Sequence, residues 1–396
     1  MKHNISVLPV LLGKDRELSA KVFTAFYRME KARRMPKRDF GYDHVKKFAL
    51  IYFKLTPACN LRCKMCGQYG DKGNMLARVE EETRKILPLE TWKKVVDEIA
   101  PMKPVTYLWG GETLLYPDLF PLARYMVEKG LFVSVNTNGT LIEERAEEIV
   151  RDKWGTVFVS LDAFRDANDS MRGAGTYDKV IAGFRALNRE KKRQNSVLPF
   201  MGVVSVVTNR NYLDLANLSD ALEEHDLDFH VINMGTYTND RIVEAQKRVM
   251  REKLGTDIDC LAGYNTGYNA GIDGSAFNRV LRAIWDKKRK HTTIAAPALN
   301  PEKADVYYGD LETPVRNRCP VPWCQANVNY NGDVHFCADY PDYILGNVAR
   351  EPFFDIINGE RANKFRREIN ACEGGMFPGC LRCYQNMLFG NKIKGF

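Results

Sequence analysis

The chain has 396 residues, 45% of them hydrophobic and 27% charged, the balance of two or three globular domains with sizeable cores. That excludes a disordered tail, a collagen and a coiled coil, and no apolar run approaches the roughly 18 residues of a membrane span. Net charge is +8, with the basic excess clumped at Lys31–Arg38, Arg189–Arg193 and Lys287–Lys290. No nucleic-acid module accompanies the clumps, so they read as wet helix faces; a patch for an acidic partner is the competing reading. The first residues lack the cleavage site of a signal peptide, since the short apolar stretch Val7 to Leu12 runs into Lys14-Asp15-Arg16-Glu17. A cytoplasmic protein is expected.

Residues 1–49 read as a helical extension, with a helix over about Glu17 to Ala32 and a basic, Pro-containing connector. From 50 to 234 short β-rich runs alternate with amphipathic helices. The strands are expected at Leu50–Leu55, Val105–Trp109, Leu131–Thr137, Thr156–Leu161, Met201–Val207 and Phe229–Asn233. Several are apolar at consecutive positions, as strands buried on both faces are. Leu89, Trp92, Val96 and Ile99 form one helical stripe, and Tyr177, Val180, Ile181, Phe184 and Leu187 another. Six strands with connecting helices predict an α/β fold, a partial (β/α)6 barrel with a parallel sheet. In such sheets the site lies at the carboxyl ends of the strands. Residues 235–318 read as an insertion, with helices over about Arg241–Leu254 and Ala276–Lys290 around the Gly/Asn/Tyr segment Gly263 to Gly274, and a substrate lid is one use for it.

Ten cysteines in a reducing compartment point to metal or redox chemistry. Cys59, Cys63 and Cys66 follow the first strand at C-x3-C-x2-C. Three thiolates this close can hold three corners of a [4Fe–4S] cluster and leave one iron open; structural zinc would want a fourth ligand. Gly110-Gly111-Glu112 follows the second strand. Cys319, Cys324, Cys337, Cys372, Cys380 and Cys383 form a later set, in which Asn331-Gly332 turns a hairpin ending at Cys337, and a helix over about Phe353 to Ile369 precedes Cys380-x2-Cys383.

These motifs resemble the radical SAM superfamily, over about 180 residues of core and the cysteine-rich end. The resemblance implies that the open iron chelates S-adenosylmethionine and that its reductive cleavage yields a 5′-deoxyadenosyl radical. It implies that Gly110, Gly111 and Glu112 meet the methionine moiety, Glu112 by accepting from its ammonium group. Ser160-Leu161-Asp162 with Arg172 resembles the segment in which Ser160 meets the ribose and Arg172 the methionine carboxylate. Asp162 and Asn136 are further cofactor candidates, although turn chemistry also explains both. Two departures from the family pattern are Met65, where an aromatic residue is common, and Thr113, where Pro is usual.

The end of the chain, 319–396, resembles the SPASM/twitch extension, in which a β-hairpin and a helix cradle auxiliary [4Fe–4S] clusters. Cys319, Cys337, Cys380 and Cys383 are the preferred ligands of one auxiliary cluster. Cys324 can replace Cys319 or, with Cys372, help hold a second cluster; both also read as small buried hydrophobes. Four-cysteine zinc is the competing reading of the whole set. Cys260 reads as a packed or free thiol. Asp339 is a candidate base for the proton that leaves with the substrate's second electron.

The function expected is therefore a radical SAM oxidoreductase that removes a substrate hydrogen atom. It would then oxidise or cross-link a small molecule, such as a sugar or alcohol, or a peptide side chain, fed by a reduced flavodoxin- or ferredoxin-type donor. A non-catalytic iron–sulfur or zinc sensor or scaffold, and a radical SAM enzyme acting on nucleic acid, are the alternatives.

Overall fold

A computed structural model describes residues 45–297, 299–338 and 341–385, together with the helical positions Ala20, Phe23, Thr24, Tyr27, Arg28 and Lys31. The rest of the expected N-terminal helix, and Asp339, lie outside the described residues. Where it is described, the helix is tied to the body by Arg28, whose guanidinium donates to the carbonyls of Phe48 (3.2 Å) and Met102 (2.6 Å).

One ten-stranded sheet organises the chain, in the order β10-β9-β8-β1-β2-β3-β4-β5-β6-β7. Strands β1 (Leu50–Thr56), β2 (Val105–Gly110), β3 (Phe132–Thr137), β4 (Thr156–Ser160), β5 (Phe200–Val206), β6 (Phe229–Asn233) and β7 (Thr292–Ala296) pair in parallel, each with the next. The six expected strands are all present. The sequence reading stopped one short, because β7 (Thr-Thr-Ile-Ala-Ala) lies inside the stretch taken as insertion and carries little β-branched bulk beyond Ile294. On the other side β8 (Gln325–Val328) pairs parallel with β1, and β9 (Asp333–His335) and β10 (Gly346–Asn347) extend it as an antiparallel meander. The C-terminal hairpin therefore continues the barrel sheet.

The outer face is covered by helices. Ile51, Phe53 and Leu55 of β1 pack with Trp92, Val96 and Ile99 of the helix Leu89–Ile99, the Phe53 and Trp92 rings lying 5.5 Å apart. Burying Trp92, Val95, Val96 and Ile99 contributes roughly 1.5–3 kcal/mol per side chain. The expected C-terminal helix is two, Phe353–Asn358 and Glu360–Ala371, broken at Gly359.

The inner face encloses a lumen. Its floor is a row of aromatic rings on β1, β2, β4 and β6, Tyr52–Tyr107 (5.2 Å), Tyr107–Phe158 (5.6 Å) and Phe158–Phe229 (5.0 Å), reaching across the small Ser134 and Gly202 of the intervening strands. Gly202 makes room for the last, since a Cβ there would stand 2.4 Å from the Phe229 ring. One step toward the carboxyl ends β1, β2 and β4 present Lys54, Trp109 and Ser160, and β3 presents Asn136, in register with Phe158. Aromatic floor and polar upper tier together place the site.

Two of the three basic clumps are neutralised locally. Lys287 and Arg289 pair with Asp220, and Arg193 with Glu190 and Glu147; Lys287 and Arg193 stand exposed, as solvated helix ends do, while Arg289 is buried.

Candidate active site

The cysteine loop leaves β1 at Thr56 and folds back on itself. Cys66 N–H donates to the Cys63 carbonyl (3.0 Å), Gly70 N–H to that of Cys66 (2.7 Å), and Lys64 N–H to that of Met171 (2.9 Å). Tyr69 caps it, its hydroxyl donating to the Pro57 carbonyl and its ring lying under the Arg62 guanidinium at 4.7 Å. The three thiols are half-buried and close enough to feel one another's charge. Burial pushes Cys59 up to about 12, against the Leu61 N–H that its sulfur accepts at 3.4 Å, and the charges of Glu112, Cys63 and Cys66 add to the rise. Burial also raises Cys63, opposed by the Arg172 guanidinium. Gln68 N–H reaches Cys66 Sγ at 3.4 Å. Three thiols in one loop, two of them accepting N–H groups of following residues and the third meeting the Arg172 carbonyl at 3.8 Å, with the Arg172 cation acting on Cys63, fit an iron–sulfur cluster. Cys59, Cys63 and Cys66 would hold it.

Gly110 and Gly111 work in a way the sequence reading did not foresee. A Cβ on Gly110 would stand 2.5 Å from the Thr56 carbonyl, and one on Gly111 would stand 2.3 Å from that of Ala58. Gly111 N–H donates to Thr56 O (2.8 Å) and Glu112 N–H to Ala58 O (2.7 Å). The close approach visible here is to the cysteine loop's own backbone, which the two glycines clamp to the end of β2. Glu112 is 1% exposed. Its Oε1 accepts from Leu114 N–H (2.9 Å) and Thr137 Oγ1 (2.6 Å), and its Oε2 from Asn138 N–H (2.7 Å). Burial raises its pKa while those three bonds oppose the rise. Of a carboxylate's roughly four lone-pair sites about one is left for a ligand's ammonium group.

Asp162 and Arg172 form a buried ion pair, Oδ2 to Nε at 2.6 Å, and Asp162 Oδ1 also accepts from Val206 N–H at 2.8 Å. Burial works against the arginine's charge, but Asp162 and the Cys63 thiol more than compensate and raise its pKa. Arg172 is thus held beside Cys63 by Asp162, which makes Asp162 a positioning residue. Ser160 and Asn136 stand half-buried on the polar tier, and the Asn136 carbonyl accepts from Thr113 Oγ1 at 2.6 Å.

Other residues of this tier were passed over in the sequence. Lys54 is 7% exposed, in a strand otherwise apolar from Leu50 to Leu55. Its ammonium lies 5.4 Å from the Trp109 ring and 5.6 Å from that of Tyr330. Burial lowers its pKa, and Cys260, Cys66 and Glu82 pull it back up. The signal was legible as a single cation inside a buried strand.

The later cysteines divide. Cys319, Cys337, Cys380 and Cys383 are all buried. The Cys319 thiol hydrogen-bonds with Cys380 and feels burial and the charges of Cys337 and Cys383, all of which raise its pKa. Among the described residues no three His, Cys, Asp or Glu side chains close tightly enough to share one metal ion. Cys324 stands apart from this group: burial alone pushes it up to about 12, and its thiol donates to the Pro320 carbonyl at 3.4 Å. Cys372 packs half-buried at the end of its helix, and its carbonyl accepts from Gly375 N–H, whose own carbonyl accepts from Cys319 N–H. Between Cys380 and Cys383, Arg382 donates to the carbonyls of Tyr307 (2.9 Å), Thr313 (2.9 Å) and Asp310 (2.8 Å). Tyr384, just beyond, packs against the cluster of Phe229, Val231 and Ala296 inside the lumen.

The segment after β6 meets the mouth. The turn Cys260–Tyr264 packs on the cysteine loop so tightly that a Cβ on Gly67 would stand 2.8 Å from the Tyr264 ring. Asn209, beyond β5, donates through N–H to the Tyr268 carbonyl (2.7 Å) and through Nδ2 to that of Ala270 (2.8 Å).

Residues 53–219 match the radical SAM superfamily, and residues 319–384 match SPASM, an iron-sulfur cluster-binding domain. The chain is 28% identical over 333 residues to an Fe-coproporphyrin III synthase of Methanosarcina barkeri, covering 82% of this chain and 77% of that one. It is 24% identical over 336 residues to a serine-type anaerobic sulfatase-maturating enzyme of Bacteroides thetaiotaomicron, covering 80% and 76%. In fold it resembles Streptococcus suis SuiB bound to S-adenosylmethionine, with a TM-score of 0.61 at 15% identity over 88% of this chain and 78% of that one. The chain belongs to the radical SAM superfamily and is an enzyme that uses a [4Fe–4S] cluster and S-adenosylmethionine, with a C-terminal SPASM domain for auxiliary iron–sulfur binding.

Proposed function

We propose that the lumen is a substrate chamber in which a hydrogen atom is taken from a small molecule or a peptide side chain, and that the C-terminal thiols take part in the oxidation. One observation carries this. The three-thiol loop leaves the carboxyl end of β1 beside the lumen face, and Tyr384, next to Cys383, packs on Phe229 and Val231 of that same face. Bound at Cys59, Cys63 and Cys66, the cluster with S-adenosylmethionine supplies the 5′-deoxyadenosyl radical; an auxiliary cluster on Cys319, Cys337, Cys380 and Cys383 supplies an electron acceptor.

The protein's own part is positioning. The glycine clamp and the Glu112 strut fix the cysteine loop, Asp162 holds Arg172 beside Cys63, and the 260–270 segment walls the mouth against water and acts as a lid. Relatives named as a porphyrin synthase and a sulfatase-maturating enzyme support the two substrate classes. A reduced flavodoxin or ferredoxin is the electron donor. Ten cysteines outside any disulfide suit a reducing, cytoplasmic setting.

The test is iron and 5′-deoxyadenosine per chain after anaerobic reconstitution, for the wild type and a Cys59/Cys63/Cys66→Ala variant. The variant should keep about four irons on the C-terminal thiols and release no 5′-deoxyadenosine. Zinc in place of that residual iron would remove the auxiliary redox role and leave the C-terminal region a structural clasp.

A further inference from the structure

Three buried polar atoms on the lumen face of adjacent strands have no hydrogen-bond partner among the described residues, and the Lys54 ammonium beside them makes no hydrogen bond to those residues. Two of these four groups are donors: the Lys54 ammonium on β1, which lies over the rings of Trp109 and Tyr330 and in the field of Cys260, Cys66 and Glu82, and the Trp109 indole N–H on β2. Two are acceptors: Asn327 Oδ1 on β8 and His335 Nε2 on β9. The strand register brings them together. Lys54 pairs across to Trp109, and Tyr52, on the same face as Lys54, pairs to Asn327, which pairs to His335. The tautomer of His335 follows from its other nitrogen. Nδ1 stands 2.8 Å from the Cys337 carbonyl, which can only accept, so Nδ1 carries the proton and Nε2 presents a lone pair. Lys54, Asn327 and His335 are each more than nine-tenths buried.

Buried polar groups are ordinarily paired, and three unpaired ones beside an ammonium group ask for an occupant. A cation beside an N–H calls for an anion with planar oxygens, and the two lone pairs call for a donor on the same molecule. We infer that this patch is the substrate's anchoring subsite and takes a carboxylate whose neighbouring atom carries an N–H or O–H, as in an N-acylated amino acid or a hydroxy acid. The carboxylate sits on Lys54 and the Trp109 N–H; the adjacent N–H or O–H points to His335 Nε2 and Asn327 Oδ1. The subsite lies toward both thiol groups, since Lys54 stands two residues before Thr56, where the cysteine loop leaves β1, and His335 is bonded to the backbone of Cys337. A group held there sets which substrate carbon faces the cysteine loop. This rests on reading the lumen as the substrate chamber, and it narrows the substrate class within it.

The experiment measures binding of N-acetylglycine, with neutral N-acetylglycinamide as control, to the iron-loaded enzyme in the presence of S-adenosylmethionine, by saturation-transfer NMR. The acid should bind at least tenfold more tightly than the amide, and Lys54→Met should erase that preference. Lys54→Gln is the second variant should Lys54→Met fail to load iron. His335→Phe should bring N-acetylglycine down to the affinity of N-acetylsarcosine, which lacks the N–H. Equal binding of acid and amide, an acid preference that survives both lysine variants, or no binding of the acid to the wild type would overturn the inference, the last leaving a water-filled patch. Release of 5′-deoxyadenosine by the same wild-type preparation with dithionite tests the chamber's radical chemistry separately. Acid-selective binding without that release would keep the subsite and sink the chemistry, and the converse result would do the reverse.

Discussion

Glu112 offers the sharpest test of how the site is built, because the structure makes it a strut. Its carboxylate accepts from Leu114 N–H, Thr137 Oγ1 and Asn138 N–H. In Glu112→Gln the side chain keeps one acceptor oxygen. With that oxygen on Leu114 and Thr137, the new amide NH2 faces Asn138 N–H, donor against donor. Losing a bond to an ionised acceptor and orphaning its buried donor costs about 2–4 kcal/mol, and weakening the other two bonds adds to this. Relief of the buried charge, which raises the native residue's pKa, offsets part of it, so about 2–4 kcal/mol is the net expectation. The assay is hydrogen exchange at the Asn138 and Leu114 amides in protein free of S-adenosylmethionine. Protection at Asn138 should fall by roughly 30- to 1,000-fold. The strut reading fails if both amides stay within about threefold of wild type while affinity for S-adenosylmethionine drops, since Glu112 would then matter only to the ligand.

Other perturbations follow from the same geometry. Gly111→Ala drives a methyl to 2.3 Å from the Ala58 carbonyl, so the cysteine loop must move; reconstituted iron should fall by about four per chain, with the C-terminal share retained. Arg382→Met leaves the carbonyls of Tyr307, Asp310 and Thr313 without their donor, and should cost the auxiliary iron while sparing that of the N-terminal loop. His230 and His291 are buried and neutral, held down to about 3 and about 4 by burial and by neighbouring positive charge. Their folded pKa values lie below the unfolded value of about 6.5, so stability is full above that pH and lost as pH falls toward the folded values. The loss at pH 5 should approach ~2 kcal/mol for each, read as a falling melting temperature whose slope flattens in His230→Leu.

Much of the fold could be read because its signals are local. Consecutive apolar residues marked β1 to β6, and C-x3-C-x2-C stated its chemistry by spacing alone. β7 escaped because two threonines and two alanines carry little strand signal, and its pairing with β6 is a tertiary fact. The pairing of β8 with β1 is invisible for the same reason, and with it the placement of Asn327 and His335 beside Lys54. Glycine roles were only half legible. The sequence says that Gly110 and Gly111 admit a close neighbour; only coordinates show that the neighbour is the loop they share a site with. Cys324 and Cys319 look alike in composition, and burial without thiol neighbours separates them.

That β8 zips onto β1 has a consequence for how this protein is made. A ribosome delivers residue 50 long before residue 325, and at about 5–20 residues per second the delay is roughly 15–55 s. Throughout it the first strand of the barrel has one unpaired edge, an invitation to another nascent chain. The C-terminal hairpin is thus also the piece that retires the barrel's sticky side, and a truncation before it should aggregate even where the upstream barrel is intact.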